Sequence, residues 1–363
     1  MKIFQIKIEQ KRNFGLDLLR FIAISTVLIS HSIVNLPKKY EQIHTFIFDG
    51  VLIFFVLSGF LIGRILLKDF DEGFSKYKLL NFWKRRWYRT LPAYYFTILI
   101  IIIISFLTSK SIHLVSLLKS LFFSQNIYYH NNLFFQESWS LSIEEWFYLT
   151  IPIILYIFYR IFRINVKSSV LITSFIIILF SVFIRFYIAS KTDIKAINEW
   201  NDSLRSVVIT RMDSLMIGVL FAWLYVYKLT LFKKFKNGMF LIGLVVFITN
   251  KLLLNLGMIS YENLYMQVVY FTLIPLSIGL MIPYLYHLKL DENNIIVKSI
   301  TKISIISYSL YLINLTIISI LVLEPLKIHY WFKFILFWVL TISLSIVMYK
   351  FIEMPFMKLR DKK

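Results

Sequence analysis

An arginine at the centre of a membrane helix costs about 2.5–3.5 kcal/mol on insertion scales, so ionisable groups in apolar runs point to chemistry. The run LLRFIAISTVLISH places Arg20 and His31 eleven residues apart. At about 100° and 1.5 Å per residue they lie on one helix stripe, about 20° apart in direction and about 16 Å apart in height. Asp17, three residues before Arg20, falls near the same stripe and can pair with it. In RRWYRTLPAYY, Arg86 and Arg89 share a helix face, with Arg85 beside them. Guanidinium groups grip phosphate through a planar fork, so this cluster suits a phosphorylated ligand such as a nucleotide. In SWSLSIEEWFYLTIP, Glu144 and Glu145 are adjacent carboxylates inside an apolar run. One of them can orient or reprotonate an imidazole acting as general base. RMDSLMIGVLFA adds Arg211 and Asp213, which are expected to neutralise each other. SYSLYLIN carries Ser307, Tyr308, Tyr311 and Asn314 at helical spacing, suited to interhelical hydrogen bonding or to substrate contact. Glu353, in FIEMPF, is placed to pair with an arginine.

Each group also has a structural explanation. Arg20 can snorkel to headgroups, His31 can sit at an interface, and Glu144 and Glu145 can serve a helix start. Arg85 and its neighbours can anchor a cytoplasmic loop. What these explanations leave over is the layering. Arg20, Arg86 and Arg89 fall in one layer, while His31, Glu144, Glu145, Arg211 and Asp213 are expected in the other.

The elements that must position them are membrane helices. The chain is 58% hydrophobic and 18% aromatic with a mean hydropathy of +0.72, far above soluble domains. Ten apolar runs of crossing length are expected, at about 16–35, 46–67, 88–108, 140–160, 169–189, 206–227, 239–256, 264–287, 303–323 and 331–352. The fold expected is therefore all-α, a polytopic integral membrane protein with one membrane domain over 1–363. Its net charge of +20 does not call for nucleic acid. Clusters such as Arg64 to Arg89, Arg160 to Lys167, and Lys228 to Lys236 fall in alternate loops, which argues for cytoplasmic loops and two cytoplasmic termini. The excess charge also favours anionic lipid headgroups. The first apolar run is too long for a cleaved secretory signal and is expected to stay as a permanent helix. With no cysteine, disulfides, thiolate chemistry and cysteine-type zinc sites are excluded, and no metal site is expected. Segment 109–138 contains LVSLLKSLFFS, too short to cross and suited to an interfacial or re-entrant helix.

LDLLRFIAISTVLISHS, FDGVLIFFVLSGFLIGRIL, RRWYRTLPAYY, SWSLSIEEWFYL, RMDSLMIGVLFA and SYSLYLINL, in this order, resemble the membrane-bound acyltransferase-3 family along essentially the whole chain. The resemblance implies a bacterial cytoplasmic-membrane enzyme that moves an acyl group, expected to be acetyl, from cytoplasmic acyl-CoA to a sugar hydroxyl. The acceptor implied is a surface polysaccharide or lipid-linked glycan. Arg20 and His31 match the family's basic residue and histidine of the first span, and Arg86 and Arg89 its paired arginines. Glu144 matches the glutamate of the WSLxxE pattern, with Glu145 beside it; Trp139 and Ser140 match its start, and Ser58 and Gly59 the SGF segment. One departure stands out: relatives often carry histidine where this chain has Asn314. The chain ends soon after the tenth span, without the esterase-like domain of some relatives, so both half-reactions are expected within the membrane domain.

The mechanism so implied has arginines holding the CoA phosphates and the pantetheine arm threading between Arg20 and His31. His31, supported by Glu144 or Glu145, then deprotonates the acceptor or carries the acyl group itself. Arg211 is the expected oxyanion donor. Asp17, Asp213, Ser307 and Tyr311 stand as supporting groups. The rival reading is a transporter or flippase for a glycan or lipid-linked sugar, which would place polar groups along a continuous path rather than in two layers.

Overall fold

The computed structural model describes residues 6, 8, 12–70, 73, 75–130, 134–291 and 293–361. Helix α1 (Phe14–Ile33) starts behind Asn13, whose side chain accepts the Leu16 N–H. A 3-10 segment, Lys38–Phe46, leads to α2 (Gly50–Phe70). There follow α3 (Lys76–Leu107), the short α4 (Leu114–Leu121), α5 (Ser138–Arg160), α6 (Val166–Lys191) and the single turn α7 (Ile197–Trp200). Next come α8 (Met212–Tyr227), the short α9 (Leu229–Lys234), α10 (Lys236–Asn255) and α11 (Tyr270–Tyr286). The chain closes with α12 (Ile295–Ile305), α13 (Ser307–Ile313), α14 (Tyr330–Met348) and α15 (Met354–Asp361). Four stretches widen into π-helical turns: Asn201–Arg205, Tyr265–Val269, Asn314–Leu323 and Tyr349–Glu353. There is no strand among the described residues.

Among the described residues, eight helical stretches are long and apolar enough to cross a membrane, or nine if α12 and Ser307–Leu323, bent by 53°, count as one. The region 206–227, expected as a span, holds α8 instead, whose 16 residues fall short of the roughly 17 a straight crossing needs. The reason lies in the preceding residues: Ser206 to Arg211 are folded into turns that meet buried partners. Segment 109–138 also departs from a simple loop. Its α4 lies on the surface, whereas Gln125, Asn126, Phe135 and Glu137 are buried.

The core forms where α2 meets α8. A Cβ on Gly59 would stand 1.9 Å from the Leu215 carbonyl oxygen, and one on Gly218 would stand 2.1 Å from that of Val56. The two backbones touch because both positions lack side chains, the packing expected where apolar helices cannot gain from excluding water. Elsewhere the outward faces are apolar, as in α6 with Phe175, Leu179 and Phe183 exposed, which suits contact with lipid.

This contact generates a prediction. Gly218→Leu should destabilise the protein by about 1–3 kcal/mol or more by overpacking. Gly238, whose Cβ would meet nothing within 4 Å, is the control: Gly238→Ala should leave the melting temperature in detergent unchanged or slightly raised.

Candidate active site

Toward the Arg20 end of α1 a cavity of about 170 Å³ opens, lined by Arg20, Arg85, Arg86, Arg89, Ser58 and Glu144 among others. The three arginines singled out from the sequence thus come together from α1 and α3. Arg20 is oriented by Asp17, 3.0 Å away, as the helical spacing predicts. Asp17 is buried and also accepts from Arg12 and from Ser304 Oγ at 2.7 Å, which ties α12 to α1. Arg86 stacks over the Tyr148 ring at 4.0 Å and donates to its hydroxyl at 2.7 Å and to Glu144 at 3.3 Å. Its Nε is buried with no partner among the described residues, leaving one donor in reserve. Thr90 Oγ1 donates to Glu145 at 2.9 Å, and Tyr308 donates to the Thr90 carbonyl at 3.0 Å. Ser140, Ser307 and Tyr308 complete this wall.

A larger cavity, about 1100 Å³, opens at the His31 end, where His31, Asp49, His130, Glu137, Trp139 and Arg205 contribute to its wall. His31 Nδ1 is hydrogen-bonded to Asn314 Oδ1. The direction of this bond follows from Asn314's other contacts. Its Nδ2 donates to the carbonyls of Leu310 at 2.9 Å and Tyr311 at 2.8 Å, which can only accept. The amide is therefore fixed with its oxygen toward His31. In the neutral ring the proton then sits on Nδ1 and the lone pair on Nε2. The π-helical turn starting at Asn314 is what lets one side chain serve the preceding turn and His31 together.

The carboxylate at this depth is not Glu144. Glu144 and Glu145 were expected beside His31, but they face Arg86 and Thr90 in the other cavity. The physical reason is that α5 does not start at the protein surface. Residues 122–130 and 134–137 fold inward against it: Asn126 Nδ2 donates to the carbonyls of Trp139 at 2.9 Å and Ser206 at 2.6 Å, and Trp146 Nε1 donates to the Phe123 carbonyl at 2.9 Å. Glu144 follows Trp139 by five residues, about 7.5 Å along the helix, and lies between these two contacts. Glu137, just ahead of α5, takes the upper position. It is buried and accepts the Thr316 N–H at 3.1 Å together with Thr316 Oγ1.

Arg211 and Asp213 do not neutralise each other. Asp213 pairs with Arg185 at 2.8 Å, both wholly buried, and accepts from Thr272 at 2.7 Å. Arg211 stacks on Phe271 at 4.3 Å and donates to Ser214 at 3.2 Å, away from the walls of both cavities. The carboxylate in the first turn of α8 faces Arg185 of α6. The guanidinium that does face the His31 cavity is Arg205, which holds Asp49 through two bonds of 2.8 and 3.1 Å and lies 4.6 Å over the Trp139 ring. Burial works against its charge, but Asp49 outweighs burial and keeps its pKa above the ordinary value. Burial, with Arg205 adding to it, pushes the His130 imidazole down to about 4. Glu353 accepts from Ser309 Oγ and lies within electrostatic reach of Arg89, the arginine partner expected of it. Asp49, Glu137, Tyr148 and Arg205 escaped the sequence reading; only Tyr148, four residues after Glu144, carried a local signal, that of a shared helix face.

The chain's kinship agrees with this arrangement. A family described as Acyltransferase domain matches residues 13–350. A provisionally named O-acetyltransferase of Staphylococcus aureus (strain COL) is 30% identical over 370 residues, covering 95% of this chain and 57% of the relative. O-acetyltransferase OatA of Staphylococcus aureus (strain NCTC 8325 / PS 47) is 29% identical over 227 residues, covering 58% of this chain and 34% of the relative. The match thus spans little more than half the length of the first of these curated relatives and about a third of the second. No solved structure matches it.

Two measurements follow from the site. Imidazole ¹⁵N spectra should show His31 as the Nδ1–H tautomer, and Asn314→Leu should shift it toward Nε2–H; an unchanged tautomer would contradict the assignment. For His130 the folded pKa lies below the unfolded 6.5, so the unfolded chain binds more protons between pH 6.5 and about 4. Stability should therefore drop as pH falls through that window, and His130→Gln should flatten part of the drop in a denaturation series.

Proposed function

The chain belongs to the acyltransferase domain family, and we propose that it O-acetylates a glycan across the membrane, taking acetyl from cytoplasmic acetyl-CoA. The acceptor on this reading is a hydroxyl of a cell-surface polysaccharide or lipid-linked glycan. The membrane is the bacterial cytoplasmic one, with the Arg20 end of α1 inside. The observation that carries the reading is the meeting of two cavities of different equipment: a cluster of arginines lining one, and a histidine oriented by Asn314 in the other.

Arg20, Arg86 and Arg89 receive the donor's phosphates, and the spare Nε of Arg86 supplies one of the donors. Glu144 and Tyr148 act as positioning residues that hold the Arg86 plane, which is the role left to Glu144 once it is separated from His31. The pantetheine arm runs along the α1 stripe and delivers the thioester to the His31 cavity. There Nε2 of His31 takes the proton of the acceptor hydroxyl while the oxygen attacks the thioester carbonyl. The C–O bond forms, the C–S bond breaks, and the departing thiolate takes the proton back from His31. Asn314 cannot exchange a proton, so it orients the ring without a carboxylate relay. Arg205, with its charge held by Asp49, lines the same cavity and takes the oxyanion-facing place first given to Arg211.

The test is transfer of labelled acetyl from acetyl-CoA by membranes holding equal amounts of each variant. His31→Ala should lower transfer by about 10²–10⁴, the usual contribution of a general base. Arg86→Ala should raise KM for acetyl-CoA about tenfold or more, the loss of a charge-assisted hydrogen bond of about 1.5–3 kcal/mol. Full transfer by His31→Ala would end this reading. Glycan movement without label transfer would instead favour a transporter.

A further inference from the structure

The two cavities share two wall residues, Val51 and Tyr311. Tyr311 is buried on α13, and its ring stands edge-on to Phe54, centroids 6.2 Å apart. Its hydroxyl donates to the Glu137 carbonyl at 3.0 Å. Ser140 Oγ lies 2.6 Å from the same phenolic oxygen and 3.4 Å from the same carbonyl, so the two hydroxyls and the Glu137 carbonyl form one closed set of hydrogen bonds. The ring is thus pinned at both ends, by the α13 backbone below and by the start of α5 at its hydroxyl. The second anchor is itself fixed, because the Glu137 carboxylate is held by Thr316.

Resting on the acyl-transfer reading above, we infer that the Tyr311 ring is the partition between donor and acceptor cavities and sets how large an acyl group crosses. An arm passing from the arginines to His31 must displace this ring from Ser140 and the Glu137 carbonyl. The backbone carbonyl of Tyr311 meanwhile goes on holding Asn314, so the ring can swing without releasing the residue that orients His31. A partition of this kind has two consequences. Small acyl groups pass the displaced ring and bulky ones do not. Without a donor in place, the two faces of the membrane stay sealed from each other.

Both consequences are measurable on the full-length protein in liposomes. With a bacterial membrane glycolipid extract reconstituted as acceptor, wild type, Tyr311→Ala, Tyr311→Leu and Ser140→Ala are compared for consumption of acetyl-, butyryl- and hexanoyl-CoA. Each is also tested for decay of an imposed pH gradient with no acyl-CoA present. Tyr311→Ala and Tyr311→Leu should raise the hexanoyl-to-acetyl rate ratio about tenfold or more, the discrimination that a few methylenes provide in a fitted pocket. They should also dissipate the gradient several-fold faster than wild type, with Ser140→Ala shifting both readouts the same way by less. If a folded Tyr311 variant, judged by its elution and melting temperature, keeps the wild-type ratio and the wild-type gradient, the inference is overturned. Should Tyr311→Ala fail to fold, Tyr311→Leu and Ser140→Ala decide the matter by the same two readouts. If wild type consumes no acyl-CoA at all, the acyl-transfer reading falls, while the gradient measurement still judges the partition by itself.

Discussion

A charge withdrawn from water among apolar helices must be met by a counter-charge or by hydrogen bonds, and this bundle is organised around meeting that demand. At one end Asp17 satisfies Arg12 and Arg20 and takes in Ser304 as well, so that α1 and α12 are held together by one carboxylate. In the middle of the helix stack Arg185 and Asp213 are wholly buried and complete each other; Arg185 also donates to the carbonyls of Thr210 at 2.5 Å and Val268 at 3.2 Å. At the other end Arg205 and Asp49 form a forked pair beneath Trp139. Removing one partner of such a pair leaves an uncompensated charge, so each pair fixes the relative placement of the elements it joins.

The same demand explains why the helices are broken where they are. A regular α-helix has no free backbone donors in its middle, whereas a π-helical turn and the turns beside it expose them. The stretch that begins at Asn314 offers the Thr316 N–H to Glu137, and Asn314 itself reaches back to two carbonyls and across to His31. The Asn201–Arg205 stretch brings Arg205 to Asp49 in a comparable way. Irregular backbone is tolerated at membrane depth where it faces protein or a cavity, and both stretches do so.

On the proposed reading, segregation of the polar groups into two cavities separates the two tasks of an acyl transfer. Phosphate binding calls for several guanidinium groups close together, which would hold a neighbouring imidazole in a field of positive charge. A base calls for an uncharged neighbour that fixes its orientation. Asn314 provides this for His31, while Glu144 and Tyr148 stay with Arg86, where their negative charge and ring face are of use.

The sequence by itself determined the apolar character of the chain, its helical class and the grouping of Arg20, Arg86 and Arg89. Those rest on composition and on 3.6-residue periodicity, which are local properties, and the Asp17–Arg20 pair is likewise a contact within one turn. It also carried the family, because ordered motifs survive along the chain irrespective of how they pack. Tertiary structure decided everything that depends on where a helix begins in depth or which neighbour it faces. Glu144 lies with Arg86 because residues such as Asn126 and Glu137 cover the start of α5 inside the protein, a displacement no periodicity records. Asp213 meets Arg185 rather than Arg211 because the partner comes from a helix more than twenty residues away in sequence. Asn314, which a comparison of motifs marks as a departure, becomes the residue that fixes His31 only when the turn at its own position points its amide oxygen across to α1.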